Sequence, residues 1–201
     1  MNSYEQLPKV IKQCTTLSYD AYVELVQDLF NKQQLTSGEP TEDMLHYTKL
    51  NLARMNRVEK TVELTADLVA KLNGLSNKVL YAITEGWCGD AAQILPVFQK
   101  IATAAGIDLH IVLRDQNLPL IDMFLTNGTS RSIPILICVE QESLNYCWHW
   151  GPRPKAAQEL LDKLKQEGAD MEEQKLQLHA WYAQDKSVST LEALMPLITG
   201  K

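Results

Sequence analysis

One cysteine sits where a cysteine can react. Cys88 lies in Thr84-Glu85-Gly86-Trp87-Cys88-Gly89-Asp90-Ala91-Ala92, between a short apolar run and a long helical pattern. The start of a helix offers unpaired N–H groups and a partial positive charge, which favour a thiolate over a thiol. A thiolate attacks disulfides, and it can be oxidised to a sulfenic acid. Asp90 works against this chemistry, because a carboxylate two residues away opposes ionisation of the thiol. Cys14, Cys138 and Cys147 carry no comparable motif. The sequence has no Cys-x-x-Cys, and its histidines, His46, His110, His149 and His179, are dispersed. Cys147 and His149 alone do not make a metal site. No metal and no resident cofactor is expected.

The elements around Cys88 can be read from apolar spacing. Val79–Ile83 is a short β-branched and aromatic run. The helical pattern from Asp90 to Ala105 stops at Gly106 and contains Pro96, which should kink it. Leu109–Leu113 reads as a second strand and Leu118–Leu125 as a helical turn ending at Asn127-Gly128. Ile135–Val139 and Leu144–Trp150 read as a hairpin. A turn about Glu142-Ser143 would set Cys138 opposite Cys147 as cross-strand neighbours. Trp148 and Trp150 would share one strand face.

About 75 residues before this core read as helices. Tyr22, Leu25, Val26, Leu29 and Phe30 form one stripe, with Ser18 as its cap. A second helix begins after Thr41, and a third segment runs from Thr65 to Asn73-Gly74. Downstream, Pro154 suits a first helical position and Gly168 a stop. Asp170 with Glu173, and Ser189 with Glu192, suggest two further caps. Strands alternating with helices predict an α/β fold, a mixed sheet with helices on both faces plus flanking N- and C-terminal helices. The expected division is a helical extension over 1–77 packed on the core, a core over 78–167, and C-terminal helices over 168–201.

Trp87-Cys88-Gly89, with Pro96 eight residues after the cysteine, resembles the active-site segment of thioredoxins. Asp115-Gln116-Asn117 after the second strand, Arg131-Ser132-Ile133-Pro134 before the third, and Gly151 after the last continue the resemblance. It covers roughly Lys78 to Glu167. The extra helices, the stretch from Tyr47 to Arg57, and Trp150-Gly151-Pro152-Arg153-Pro154 are similar to a bacterial branch of the family with a helical N-terminal extension. The resemblance implies a thioredoxin fold with a cis-proline at Pro134. It also implies a site in which Trp87, Gly89, Ile133, Pro134 and Gly151 surround Cys88 and Pro152 and Arg153 extend the rim; Asp90 lies close to Cys88, and Trp150, though burial is its ordinary explanation, is near enough to the rim to be a contact residue. The backbone of Ile133 would be open to a ligand by strand addition. Arg153 could meet a carboxylate, or could be an ordinary solvated arginine before a helix.

Two departures from the family pattern limit that expectation. Thioredoxins carry a second cysteine three residues after the first; here that residue is Ala91. They also carry a buried carboxylate six residues before the first; here that residue is Ala82. Without either, an efficient dithiol disulfide reductase is not expected. The expectation is a monothiol redox protein acting through Cys88 on a protein or small-molecule thiol or disulfide, with glutathione as a candidate co-substrate. The alternative is a catalytically silent module that binds a peptide or thiol at the cis-proline groove.

Composition excludes other classes. Nineteen Lys and Arg against twenty-five Asp and Glu give a net charge of −6, which argues against a nucleic-acid grip. The longest apolar run, Ile133 to Val139, is far short of the roughly 20 residues that span a bilayer. Neither nucleic acid nor a membrane is an expected partner, and a cytoplasmic location is expected.

Overall fold

The computed structural model describes residues 4–200. Four strands form one sheet: β1 (Lys78–Thr84), β2 (Leu109–Leu113), β3 (Ile135–Glu140) and β4 (Tyr146–Trp150). Their order across the sheet is β2-β1-β3-β4. β1 runs parallel to β2 and antiparallel to β3, and β3 pairs antiparallel with β4. The central strand β1 has neighbours on both sides and is buried along almost all its length. That is why it reads as a continuous apolar run rather than an alternating one. β4 is an edge strand, and each of its residues stays partly exposed.

Helices cover both faces. They are α1 (Leu7–Ile11), α2 (Tyr19–Asn31), α3 (Glu42–Thr61), α4 (Ala66–Lys71), α5 (Gly89–Ala105), α6 (Leu118–Ile121), α7 (Lys155–Gln166), α8 (Met171–Asp185) and α9 (Val188–Thr199). Trp150 pairs with Leu136 and meets Phe98 of α5 edge-on, with ring centroids 5.9 Å apart. That contact sets α5 on one face. Tyr146 and His149 point to the other, where both lie near Phe124 and Tyr4 stacks on Tyr146 at 3.9 Å. α3 packs along α5, α8 against α7, and α9 against α4 and the turn at Leu72–Leu75. Residue 17 adds to the sheet edge, since Leu17 forms an antiparallel bridge with Ile111 of β2.

Local chemistry explains the helix starts. Ser18, Thr41 and Thr65 each accept a hydrogen bond from the backbone N–H three residues on, at 3.2, 3.2 and 3.3 Å. Asp170 caps α8 in the same way, at 2.9 Å from Glu173 N. Each such cap is worth about 1 kcal/mol. Two expected starts differ. Pro154 is the residue before α7 rather than its first residue. α9 begins at Val188, so Ser189 lies inside it rather than before it, and Asp185, not the expected Glu192, accepts from Ser189 N.

The hairpin corrects the expected cysteine register. Val139 pairs with Tyr146 as the turn predicts, but Cys138 pairs with Trp148. Cys147 is the extra residue of a β-bulge, so it is not the direct partner of Cys138. The bulge shifts the alternation by one. This is why Tyr146 and His149, three residues apart, share a face and a hydrogen bond of 2.8 Å. Leu144, expected in the strand, adopts φ 59° and belongs to the turn.

Candidate functional site

Cys88 is the residue that caps α5. Its Sγ accepts from Ala91 N at 3.5 Å, and its thiol donates to the Ile133 carbonyl at 3.4 Å. The Ile133–Pro134 peptide bond is cis, as is Gly151–Pro152. The second contact joins the helix start to the loop before β3, so the two stretches singled out in the sequence do meet. Gly151 completes the junction. Its φ is 140°, and a Cβ there would stand 2.2 Å from the Pro134 carbonyl oxygen, so a side chain is excluded by conformation and by space.

Cys88 is 8% exposed. Burial, then the neighbouring Asp90 carboxylate, push its thiol up to about 12. The N–H groups of Ala91 and Asp90 and the Arg153 guanidinium pull the other way without prevailing. The helix start therefore does not deliver a thiolate in this resting arrangement, because desolvation and a like charge outweigh it.

Asp90 is as buried as Cys88 and fully engaged. Arg153 donates to its Oδ2 from Nε at 3.2 Å and from Nη2 at 2.7 Å, and Tyr182 donates to its Oδ1 at 2.6 Å. Arg153 also donates to Gln158 at 2.6 Å. The carboxylate that Arg153 meets is thus the chain's own. Burial and Asp90 together keep the Tyr182 phenol protonated. The network ties α8 and the loop before α7 to the first turn of α5.

A second network holds the loop before Cys88. Glu85 is fully buried; Thr36 donates to it, and so does Asp115 N at 2.9 Å. Thr36 in turn accepts from Gly86 N at 3.0 Å, and Trp87 Nε1 donates to Ser37 at 3.0 Å. Asn51 of α3 donates to the Gly86 carbonyl at 3.2 Å. Arg114 stacks over the Trp87 ring at 4.9 Å and pairs with Asp115, holding that carboxyl below its usual range.

These elements border an open cleft of about 530 Å³. Of the residues expected at the site, Trp87, Cys88, Gly89, Asp90, Ile133 and Arg153 line it. Pro134, Trp150, Gly151 and Pro152 lie behind that surface, Trp150 against Phe98 and Pro134 against Gly151. The remaining walls come from residues the sequence did not assign to the site: Met44, Tyr47 and Asn51 of α3, Arg114, Ser130–Ser132, and Met171, Lys175, Leu178 and His179 of α8. Four of these had a signal: Tyr47 and Asn51 fall in the family-like stretch from Tyr47 to Arg57, and Arg131 and Ser132 in the family-like Arg131-Ser132-Ile133-Pro134. His179 packs on Gly89, where a Cβ would stand 2.7 Å from its ring. Burial, then Arg54, push its imidazole down to about 4.

Among the described residues no three His, Cys, Asp or Glu side chains converge as a metal site. No helix among them is long and apolar enough to cross a membrane. Cys14, Cys138 and Cys147 lie outside the cleft, and all four cysteines are free thiols.

A mixed sheet with helices on both faces, and a cysteine capping a helix opposite a proline loop, mark a thioredoxin-like protein. A family model described as thioredoxin matches residues 38–165, and the chain belongs to that family. No curated protein matches the sequence significantly. Two solved structures share the fold. One is a protein of unknown function from Pseudomonas aeruginosa, 16% identical, with a TM-score of 0.55, over 92% of this chain and 98% of that one. The other is an HIV epitope-scaffold, 14% identical, with a TM-score of 0.55, over 92% and 99%.

Proposed function

We propose that the protein is a monothiol member of its family that exchanges disulfides through Cys88. The observation that carries this reading is that Cys88 lines a ligand-sized cleft that Cys14, Cys138 and Cys147 do not line, and the buried Ala91, which the resemblance sets in place of a resolving thiol, supports it. In the step, the Cys88 sulfur bonds one sulfur of the substrate disulfide. The S–S bond breaks, and the other sulfur leaves as a thiolate that takes up a proton. With no second thiol in the cleft, the mixed disulfide waits for an external thiol to release it. The raised thiol pKa makes this exchange slow at neutral pH, because the thiolate is the attacking species.

That same pKa favours a second reading, a module that holds a ligand in the cleft without turnover. Incubating the protein with oxidised glutathione across pH 7–10, followed by intact and peptide mass spectrometry, separates the two. Exchange predicts one adduct, on Cys88, whose rate climbs about tenfold per pH unit. Adducts confined to Cys14 or Cys147 would overturn it and leave the binding reading.

A further inference from the structure

Away from the cleft, the end of the sheet nearest the β3–β4 turn gathers two thiols, an ammonium and a carboxylate. Lys78 of β1 stands opposite Glu140 of β3, and its ammonium holds the Glu140 carboxylate at 2.5 Å. Cys138, two residues before Glu140 on the same strand, shares that face of the sheet. Cys147 comes to this face from β4, since its thiol donates to Glu140 Oε1 at 3.7 Å. The β-bulge turns it there. Trp148 is the register partner of Cys138, and the extra residue, Cys147, stands beside it.

The two thiols meet on that face. A hydrogen bond between them raises the Cys138 thiol and lowers that of Cys147, so Cys138 is the donor. Opposed residues of antiparallel strands have Cα atoms about 4.5–5.5 Å apart, and disulfides span about 4.4–6.8 Å. A bulge sets two residues against one, which keeps Cys147 within that reach of Cys138.

Access differs between them. Cys138 is fully buried, whereas Cys147 is partly exposed on the edge strand. Burial raises both thiols, that of Cys138 to about 12. Lys78 favours both thiolates, and Glu140 opposes them. A reagent from solvent therefore meets Cys147 first, with Cys138 behind it. Cys88 is remote from the pair. It bonds the Ile133 carbonyl, five residues before Cys138, which is about 16 Å at the rise of a strand.

We propose that Cys138 and Cys147 form a second redox centre, separate from Cys88, that passes between dithiol and disulfide with a low-molecular-weight disulfide as its oxidant. The Cys147 sulfur gives up its proton and bonds one sulfur of that disulfide. The S–S bond breaks, and the other sulfur leaves as a thiolate that takes up a proton. The Cys138 sulfur, losing its own proton, then bonds the Cys147 sulfur and expels the second small thiol. Two protein thiols are oxidised to one disulfide, and one small disulfide is reduced to two thiols. Excess small thiol drives the same steps backward. The inference makes no use of the reading of Cys88, and either can fail alone.

The test equilibrates the full chain and a Cys88→Ser variant across a range of ratios of reduced to oxidised glutathione. Samples are quenched in acid, alkylated and cleaved at Glu140 and Glu142, which lie between the two cysteines. Peptide mass spectrometry then reads each thiol, and circular dichroism follows the fold at every ratio. As the buffer becomes oxidising, Cys138 and Cys147 should lose alkylation together, as two peptides joined by a disulfide and carrying no glutathione, in both proteins. Cys138→Ala should leave glutathione on Cys147, because nothing resolves the adduct. Cys147→Ser should leave Cys138 reduced and free of adduct, because it is buried. Several results would each overturn the proposal, and the wild-type chain supplies most of them without any variant. They are a glutathione adduct on Cys147 beside a free Cys138, both thiols reduced at every ratio, either one paired with Cys14, a disulfide that appears only where the fold is lost, or a pairing that Cys88→Ser abolishes.

Discussion

Arg153 grips the Asp90 carboxylate with two nitrogens, at 3.2 and 2.7 Å, and so fixes a negative charge beside the one thiol that faces the cleft. The pair has two opposite effects on Cys88. The carboxylate raises the thiol pKa and the guanidinium lowers it, with the carboxylate the stronger of the two. Asp90→Asn separates them. It keeps an acceptor for Tyr182 and removes the charge. The Cys88 pKa should fall from about 12 by on the order of one pH unit or more, read from thiolate ultraviolet absorbance or the pH dependence of alkylation. Arg153 is then left without its anion, and stability should drop by about 3–5 kcal/mol. An unchanged or higher thiol pKa would show that burial alone sets it.

The raised thiol pKa also fixes a dependence of stability on pH. Between its ordinary value of 9.0 and about 12, Cys88 keeps its proton in the folded protein and loses it in the unfolded chain. The folded state then binds more protons, so stability falls as pH rises through that window. The loss is at most about 1.4 kcal/mol per pH unit. Cys88→Ser keeps a hydroxyl in the same hydrogen bonds and does not titrate there. Denaturant unfolding of both proteins from pH 8 to 11 should show the wild type losing ground to the variant above pH 9. Parallel curves would mean that the thiol is better solvated than its 8% exposure implies.

What the sequence could reveal about this arrangement was its local part. β1 and α5 are legible because a buried central strand must be apolar throughout and because Gly106 ends the helix in a left-handed conformation, φ 67°. Cys88 was legible for the same reason, as the residue between them. The partners of the site were not. Arg153 and Tyr182 reach Asp90 from 63 and 92 residues away, and no spacing rule links them. Glu85 passes in the sequence for a loop carboxylate, yet it is fully buried, because Thr36 and Asp115 satisfy it from distant segments. The bulge at Cys147 shows the same limit at short range. One extra residue reverses which side chains share a face, and nothing in the local composition announces it.

Thr36, in the segment between α2 and α3, reaches the site loop. Its hydroxyl donates to Glu85 and accepts from Gly86 N. Thr36→Val keeps the shape and leaves both buried groups without that partner, at about 1–3 kcal/mol each. Thr36→Ser should recover most of the loss. Removing residues 1–60 also takes away Asn51 and most of the α3 cover over α5, and should give an aggregating protein. A Thr36→Val protein within about 0.5 kcal/mol of the wild type would mean that water replaces the hydroxyl, and that the segment before α3 does not brace the loop.

Ala91 is the position at which a second thiol tests the proposed single-thiol exchange. Its N–H already donates to the Cys88 sulfur, so the two residues are adjacent across the first turn of α5. A cysteine there would sit within disulfide reach. Ala91→Cys should form a reversible intramolecular disulfide with Cys88 under mild oxidation, seen as a loss of two thiols without any adduct. It should also gain some disulfide reductase turnover, because the new thiol can release the mixed disulfide. The gain should stay partial for two physical reasons. Ala82 is fully buried and supplies no proton acceptor beneath the pair, and Asp90 still opposes the thiolate. Combining Ala91→Cys with Asp90→Asn should therefore raise turnover further than either change alone, provided that the double variant remains folded by circular dichroism. Efficient turnover by the wild-type chain would instead require one of Cys14, Cys138 or Cys147 to reach the cleft, and would refute a single-thiol site. Failure of the Ala91→Cys variant to form the disulfide would show that the Cys88 sulfur does not face the first turn of α5.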